Sequence, residues 1–209
     1  MCIRDRYLIV QPQFRGSDGF GRAHTLAGRG EWGKKMQDDL TDAVNFLSKR
    51  KMINPEKVCI AGISYGGYAA LAGGAYTPDL YKCIVSINGV SHLKKMIENE
   101  KQDHGRRHSV VSYWEEVIAK GDTNKQFLKQ ISPYYSAASF KAPVLLMHGT
   151  RDEVVDIRQS KLMKNALKKA SKDVTLIELK NETHNLEKQK TRTKALKEMV
   201  SFINKHIGE

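Results

Sequence analysis

Short apolar runs alternate along the chain with longer segments in which apolar residues recur at helical spacing. The apolar runs predicted to form strands are residues 7–10, 58–63, 83–87, 144–148 and 174–179. Helical spacing is found in residues 32–51, 157–170 and 192–207. Alternating strands and helices predict an α/β fold in which a mostly parallel sheet carries helices on both faces.

One long segment, residues 91–141, departs from this alternation. Its helical pieces centre on residues 93–98, 113–119 and 126–131. We interpret it as a helical insertion, which often covers a functional site. The length of 209 residues fits one domain, and we assign residues 7–209 to a single α/β domain that contains the insertion.

Residues 1–6 fit nothing that follows them and are interpreted as a non-native N-terminal scar. No secretory leader is recognisable, and no apolar run approaches the roughly 20 residues that span a bilayer. Because the natural N-terminus is expected to be missing, cytoplasmic placement is an expectation that leaves periplasmic or secreted placement open.

The formal net charge is +12, from 35 Lys and Arg against 23 Asp and Glu. Much of the excess lies on two C-terminal helical segments, at Lys161, Lys164, Lys168, Lys169, Lys172, Lys188, Lys190, Lys194 and Lys197. A nucleic-acid or anionic-membrane surface is one interpretation. No aromatic residues interleave the lysines as stacking platforms would. We therefore favour solvated outer faces of amphipathic helices, and expect neither a nucleic-acid nor a membrane partner.

The cysteines and histidines suggest neither a disulfide framework nor a metal site. Cys59 and Cys83 lie inside apolar runs, where cysteine usually behaves as a small buried hydrophobe. His104 and His108 have no carboxylate or cysteine spaced to join them around a metal.

The segment GISYGG, residues 62–67, fits the pattern G-x-S-x-G. In this pattern a serine stands on a sharp turn between a strand and a helix, and the residues two before and two after it come close together. Gly62 and Gly66 suit such a turn, which exposes Ser64 beside the positive end of the helix dipole. A surface serine on a glycine-rich turn is the alternative. The strand before it and the helix after it favour a nucleophile.

A serine hydroxyl needs a base to remove its proton, and a third group to orient that base. Asp152 follows the strand at 144–148, and His184 lies in the loop after the strand at 174–179. Their order after Ser64 is the order expected when a serine stands on such a turn. Glu153 and Asp156 compete for the acid role. His148, at the end of its strand, is interpreted as structural.

A developing oxyanion needs hydrogen-bond donors. The backbone N–H of Tyr65, the residue after the nucleophile, can supply one of them. A His-Gly-Gly pattern that often supplies the second is not found upstream of Ser64.

Several motifs together resemble the catalytic domain of the prolyl oligopeptidase family of serine peptidases, particularly its acylaminoacyl-peptidase-like and dipeptidyl-peptidase-like branches. They are residues 14–21 (FRGSDGFG), 30–39 (GEWGKKMQDD), 62–68 (GISYGGY), 132–133 (SP), 142–149 (APVLLMHG), Asp152 and 159–160 (QS). The resemblance implies an α/β-hydrolase fold and hydrolysis of short peptides without a cofactor.

The same resemblance assigns roles to individual residues. It implies a triad of Ser64, Asp152 and His184, and a hydrophobic specificity pocket lined by Val90, Leu93 and Val155.

Two features of the family have no counterpart here: its N-terminal β-propeller, and the first strands of the hydrolase domain with their oxyanion loop. We therefore expect either unpaired edge groups on the strand at 58–63 or direct pairing of that strand with residues 7–10. The isolated chain is expected to be weakly active or inactive, since losing one oxyanion donor costs about 10²–10³ in rate. A carboxylesterase-like hydrolase and a non-catalytic fragment of a longer peptidase remain alternatives.

Overall fold

The computed structural model describes residues 2–4 and 7–208. Its six strands are β1 (Cys2–Arg4), β2 (Tyr7–Ile9), β3 (Cys59–Ile63), β4 (Cys83–Ile87), β5 (Val144–Gly149) and β6 (Val174–Leu179). Strands β3 to β6 form one parallel sheet in the order β3-β4-β5-β6. The predicted parallel sheet is therefore observed, and it contains four of the five predicted strands.

The helices are α1 (Arg22–Leu26), α2 (Lys35–Lys49), α3 (Tyr65–Tyr76), α4 (Leu93–His104), α5 (Ser109–Ala119), α6 (Lys125–Gln130), α7 (Arg158–Lys169) and α8 (Gln189–Ile207). A 3-10 helix, Pro133–Ser139, precedes β5. Helices α4 to α6 occupy the segment interpreted as an insertion, and they coincide with the three helical pieces predicted there.

The predicted strand at residues 7–10 does not join this sheet. Strand β2 instead pairs antiparallel with β1, with Tyr7 opposite Arg4. Within residues 2–4 and 7–208, no strand pairs with the outer edge of β3. Of the two arrangements expected for that edge, the structure has the unpaired one. Residues 1, 5 and 6 of the segment interpreted as a scar lie outside the described residues, and that interpretation stays a prediction.

Both faces of the parallel sheet are covered, because successive side chains of each strand point to opposite sides. On one face, Ile84, Val144 and Leu146 pack with residues of α3 and α7. On the other face, Val85 and Leu145 pack with residues of α8. Helices α7 and α8 carry their lysines on the opposite, mainly exposed sides, as expected of amphipathic helices.

A third cluster lies under the inserted helices. Trp32 and Tyr68 pack there with Leu93, Ile97 and Ile118, which come from α4 and α5. Helices α4 and α5 thus cover part of the helix that follows Ser64. No helix among the described residues is long and apolar enough to cross a bilayer.

The prediction that Cys59 and Cys83 are independent buried thiols was wrong. They are the first residues of neighbouring strands, directly opposite in the β3–β4 register. Their Cα atoms are 4.7 Å apart and a disulfide joins them, which is within the usual range for bridged cysteines. The disulfide links the edge strand to the rest of the sheet.

The glycine-rich loop before α2 is held by a charged pair. The Arg15 guanidinium donates to both carboxylate oxygens of Asp39, at 2.8 and 2.6 Å, and the Arg15 backbone N–H donates to the same carboxylate at 2.8 Å. The hydrogen bond from the Arg15 side chain, opposed by partial burial, holds the pKa of Asp39 below its usual value.

Candidate active site

Ser64 stands alone between the last residue of β3 and the first residue of α3. Its backbone has φ 57° and ψ −118°, a left-handed conformation that is uncommon for residues other than glycine and is found preferentially at functional sites. Its N–H donates to the Ile87 carbonyl at 2.9 Å, which fixes the turn to β4. The side chain is half-buried at the carboxyl edge of the sheet.

The close approach predicted within the glycine pattern is confirmed. A Cβ placed on Gly62 would overlap the backbone carbonyl group of Gly66, whereas a Cβ placed on Gly66 would meet no atom within 4 Å. Position 62 therefore requires glycine, because the backbone of Gly66 occupies the space that a side chain at position 62 would need.

The Asp152 carboxylate lies just beyond β5, with its side chain fully buried. One oxygen accepts the backbone N–H groups of Val154 and Val155 at 2.9 and 2.8 Å. The other accepts from His184 Nδ1 at 2.8 Å. Burial raises the pKa of Asp152, but hydrogen bonds from His148, His184 and Val155 outweigh it and hold the pKa well below its usual value. Asp152 is therefore ionised at neutral pH.

Glu153 and Asp156, the two residues that compete for the acid role, do not bond to His184. Asp156 accepts from the Arg158 side chain at 2.8 Å and from its backbone N–H at 2.7 Å. Glu153 is exposed. Of the three acidic residues in this turn, Asp152 is the one that contacts His184.

His184 lies between β6 and α8, and its side chain is 14% exposed. Since the partner of Nδ1 is a carboxylate, Nδ1 carries the proton and Nε2 of the neutral ring has a free lone pair. Its loop is bonded to the Asp152 turn: Arg151 N–H donates to the Glu182 carbonyl at 2.9 Å, and Asn181 N–H donates to Thr150 Oγ1 at 2.8 Å. In the described part of the chain, His184 makes no hydrogen bond to Ser64 Oγ.

His148 is a second imidazole on the same carboxylate. Its side chain is fully buried, and Nε2 lies 2.8 Å from the Val155 carbonyl and 3.3 Å from Asp152 Oδ2. Both neighbours are acceptors, so Nε2 carries the proton and Nδ1 accepts from the Ser160 hydroxyl at 2.7 Å. His148 is structural, as its position at the strand end predicted, and the structure adds that it supports Asp152.

Tyr65, the residue predicted to supply an oxyanion donor, is the first residue of α3. As the first residue of α3, Tyr65 has an N–H that no helical carbonyl accepts. Its ring packs against those of Phe14, Trp32 and Tyr68, with centroids 5.3, 4.6 and 5.7 Å away. Burial raises the pKa of its hydroxyl, and this packing anchors the first turn of the helix.

Val90, Leu93 and Val155, the residues proposed to line a pocket, are brought together in the cluster under the inserted helices. All three are buried, with exposed fractions of 2%, 0% and 6%. A cavity of about 120 Å³ lies between α4 and the Asp152 turn, and Val155 and Asp152 line part of it. The described residues contain no group of three or more His, Cys, Asp or Glu side chains placed to hold a metal ion.

Two buried amides near the site, Gln159 and Asn88, were not among the predicted site residues. Gln159 Oε1 accepts the backbone N–H groups of Ser91 and His92 at 3.0 and 2.8 Å, which fixes the segment after β4 to α7. Asn88, directly after β4, bonds to both Gly149 and His184. Gln159 lies in the QS motif and could have been singled out from it, whereas no motif marks Asn88.

Known proteins resemble the chain over nearly its whole length. A family model described as the prolyl oligopeptidase family matches residues 3–209. Dipeptidyl aminopeptidase BIII of Pseudoxanthomonas mexicana is 36% identical over 187 residues, which are 85% of this chain and 26% of that protein. Dipeptidyl peptidase family member 6 of Caenorhabditis elegans is 30% identical over 212 residues, covering 97% of this chain and 27% of that protein.

A solved structure shows the same fold. A puromycin-hydrolyzing peptidase of Mycobacterium tuberculosis superposes with a TM-score of 0.85 and 26% identity over 94% of this chain and 29% of that one. The predicted α/β-hydrolase fold is thereby confirmed. The chain spans about a quarter to a third of the length of these relatives. With its fold and its sequence in agreement, the chain belongs to the prolyl oligopeptidase family.

Proposed function

We propose that Ser64, Asp152 and His184 form the catalytic triad of a serine peptidase that hydrolyses short peptides through an acyl-enzyme. The observation that carries the proposal is the 2.8 Å hydrogen bond between His184 Nδ1 and a buried, ionised Asp152. It holds the imidazole in the tautomer that leaves Nε2 able to accept a proton. Ser64, on a strained turn at the same edge of the sheet, is the hydroxyl that would give it one.

The first half of the reaction forms the acyl-enzyme. His184 Nε2 takes the proton of Ser64 Oγ while Oγ bonds to the carbonyl carbon of the scissile peptide. The Tyr65 N–H donates to the oxygen that becomes negative. The C–N bond then breaks, and His184 gives its proton to the departing amine.

The second half releases the acid. Water replaces the amine, and His184 removes one of its protons as the oxygen bonds to the acyl carbon. Breakage of the bond to Ser64 Oγ returns a proton to the serine, which completes the cycle without net change in the protein. Asp152 remains ionised throughout and stabilises the protonated imidazole in both halves.

We propose that Val155, which packs in one buried cluster with Val90 and Leu93, forms an apolar wall for the substrate side chain next to the scissile bond. Val90 and Leu93 follow β4, and Val155 follows Asp152 just beyond β5, the strand paired with β4. Val155 and Asp152 line part of the same cavity. The names of two relatives, a dipeptidyl aminopeptidase and a dipeptidyl peptidase, support short peptides as the substrate class. In the whole protein, we expect an N-terminal propeller domain to restrict access to such peptides.

Paired substrates test the reaction class. Aminoacyl and dipeptidyl nitroanilides should be hydrolysed by a version of the protein extended upstream of residue 1, with the 209-residue chain slower by about 10²–10³ if an oxyanion donor is lacking. Ser64→Ala is the control for both. Hydrolysis of p-nitrophenyl esters without any nitroanilide activity would contradict the peptidase assignment and favour an esterase.

A further inference from the structure

Asn88 occupies an unusual position beside the proposed triad. It directly follows β4, its backbone has φ 48°, and it is fully buried. A left-handed conformation costs little for asparagine compared with most other residues. The segment can therefore turn at this point while its side-chain amide is kept inside the protein.

The side-chain amide of Asn88 joins two segments that carry proposed catalytic groups. Oδ1 accepts the backbone N–H of Gly149 at 2.9 Å, at the end of the strand that leads to Asp152. Nδ2 donates to the backbone carbonyl of His184 at 2.7 Å. Within residues 7–208, the His184 main chain makes no other hydrogen bond.

The backbone of Asn88 reaches the third catalytic segment. Ile87 and Asn88 share one planar peptide unit. Its carbonyl accepts from Ser64 N–H at 2.9 Å, and its N–H donates to the Met147 carbonyl at 2.9 Å. A movement of this peptide would therefore displace the Ser64 turn and β5 together.

The other hydrogen bonds described for these two segments join the Ser64 turn to β4 and the His184 loop to the Asp152 turn, and do not join the two segments to each other. Ser64 follows an edge strand that is paired only to β4 in the described part of the sheet. His184 is bonded through its ring to Asp152, and it makes no hydrogen bond to Ser64 there. Asn88 links the peptide that holds Ser64 directly to the His184 backbone.

On the basis of the proposed function, we propose that Asn88 is a positioning residue that sets the separation between Ser64 Oγ and His184 Nε2. Its Nδ2 donor holds the His184 loop at a fixed distance from the peptide that binds Ser64. A displacement of about 1 Å in such a pair can lower a rate about a hundredfold. Loss of this donor should therefore slow proton transfer from Ser64 while substrate binding is kept.

The test variant is Asn88→Asp. The new side chain has nearly the same shape, and an oxygen still accepts from Gly149 N–H, but a carboxylate oxygen replaces the donor that faces the His184 carbonyl. Ile84→Val is the matched control, because Ile84 is a fully buried residue at the opposite end of the same strand. Both variants are compared with wild type in melting temperature.

The principal measurement is the reaction of each variant with a fluorophosphonate that bonds to serine nucleophiles, resolved into a binding constant and a maximal labelling rate. We expect Asn88→Asp to lower the maximal rate about tenfold to a hundredfold with the binding constant within about threefold. Ile84→Val should label like wild type. Equal labelling by Asn88→Asp and Ile84→Val would overturn the inference.

A second readout does not depend on catalysis. Amide hydrogen exchange in the loop of residues 180–188 should speed up in Asn88→Asp and not in Ile84→Val. If wild type fails to label, the proposed function fails, and unchanged exchange in this loop would then overturn the positioning role as well. If Asn88→Asp does not fold, Asn88→Gly replaces it as the test variant. Glycine accepts the same backbone conformation and removes both side-chain hydrogen bonds, and the labelling rate and the loop exchange are measured as before.

Discussion

His184 Nδ1 lies 2.8 Å from Asp152 Oδ2, and the Asp152 side chain is completely removed from solvent. An ionised carboxylate can occupy such a position only because it is fully hydrogen-bonded, here by two backbone N–H groups and two imidazoles. The pair therefore fixes the ring orientation of His184 before any substrate arrives.

Replacing this carboxylate by an amide tests the role of the pair. Asp152→Asn should keep the shape of the turn but allow the other imidazole tautomer, in which Nε2 carries the proton and cannot accept one. We expect the maximal labelling rate with a fluorophosphonate to fall about 10⁴-fold, the loss seen when the triad aspartate of a serine peptidase is changed to asparagine.

Asp156→Asn is the matched control for that experiment. Asp156 belongs to the same turn, but its hydrogen bonds go to Arg158 and not to His184. Its maximal labelling rate should stay within about threefold of wild type, because Asp152 still holds His184 in the required tautomer. Equal losses in the two variants would contradict the assignment of Asp152.

The two glycines around Ser64 should respond differently to alanine. At Gly62 a methyl group would overlap the Gly66 backbone, so Gly62→Ala should lower the free energy of unfolding by at least about 1–3 kcal/mol. At Gly66 the methyl group meets open space within a helix, and the change should be neutral or stabilising by up to about 1 kcal/mol. Urea unfolding measures both, and a larger loss at Gly66 would contradict the turn geometry.

The Arg15–Asp39 pair predicts a pH-dependent contribution to stability. The pKa of Asp39 is lowered from an ordinary value of 3.8, so the folded state favours the ionised form. The contribution is complete above the unfolded pKa and is lost as pH falls through the lower folded pKa. Asp39→Asn should cost about 1–3 kcal/mol of unfolding free energy at pH 7.

The same difference between Asp39→Asn and wild type should shrink progressively below about pH 4, as wild-type Asp39 becomes protonated. Denaturant unfolding of both proteins at pH 7, 5 and 3.5 measures it. A difference that grows as the pH falls would show that the pair is not the source of the stabilisation.

The Cys59–Cys83 disulfide should be detectable in the purified chain. Alkylation in denaturant without reductant should modify Cys2 but leave Cys59 and Cys83 unmodified, and prior reduction should allow all three cysteines to react. Reduction should also lower the free energy of unfolding by about 2–4 kcal/mol, the usual contribution of one disulfide. Cys83→Ala is the control, since reductant should not change its stability. Full alkylation of both thiols without reductant would contradict the bond.

The sequence was sufficient for those parts of the site that depend on the order of elements. Apolar runs alternating with helical stripes predicted the parallel sheet, and residues after neighbouring parallel strands must meet at one edge of it. Asp152 and His184 follow strands that proved adjacent, β5 and β6. The bond between their side chains was thus foreseeable without knowledge of any strand register.

Features that depend on register or on pairing partners could not be foreseen. Cys59 and Cys83 look like ordinary buried residues until β3 and β4 are aligned. The strand at residues 7–10 was predicted correctly as a strand but assigned to the wrong sheet, since its periodicity does not identify a neighbour. Asn88 belongs to no motif, and its bonds reach residues 61 and 96 positions away.

The most direct test of the central claim is the mass of the intact protein after reaction with a fluorophosphonate. The proposed triad predicts one adduct per chain, carried by the peptide that contains Ser64, and no adduct on Ser64→Ala. The control Ser86→Ala, a buried serine on β4, should react like wild type. Two results would contradict the account. One is a wild type that stays unmodified both as the 209-residue chain and as an upstream-extended version. The other is labelling of Ser64→Ala equal to that of wild type.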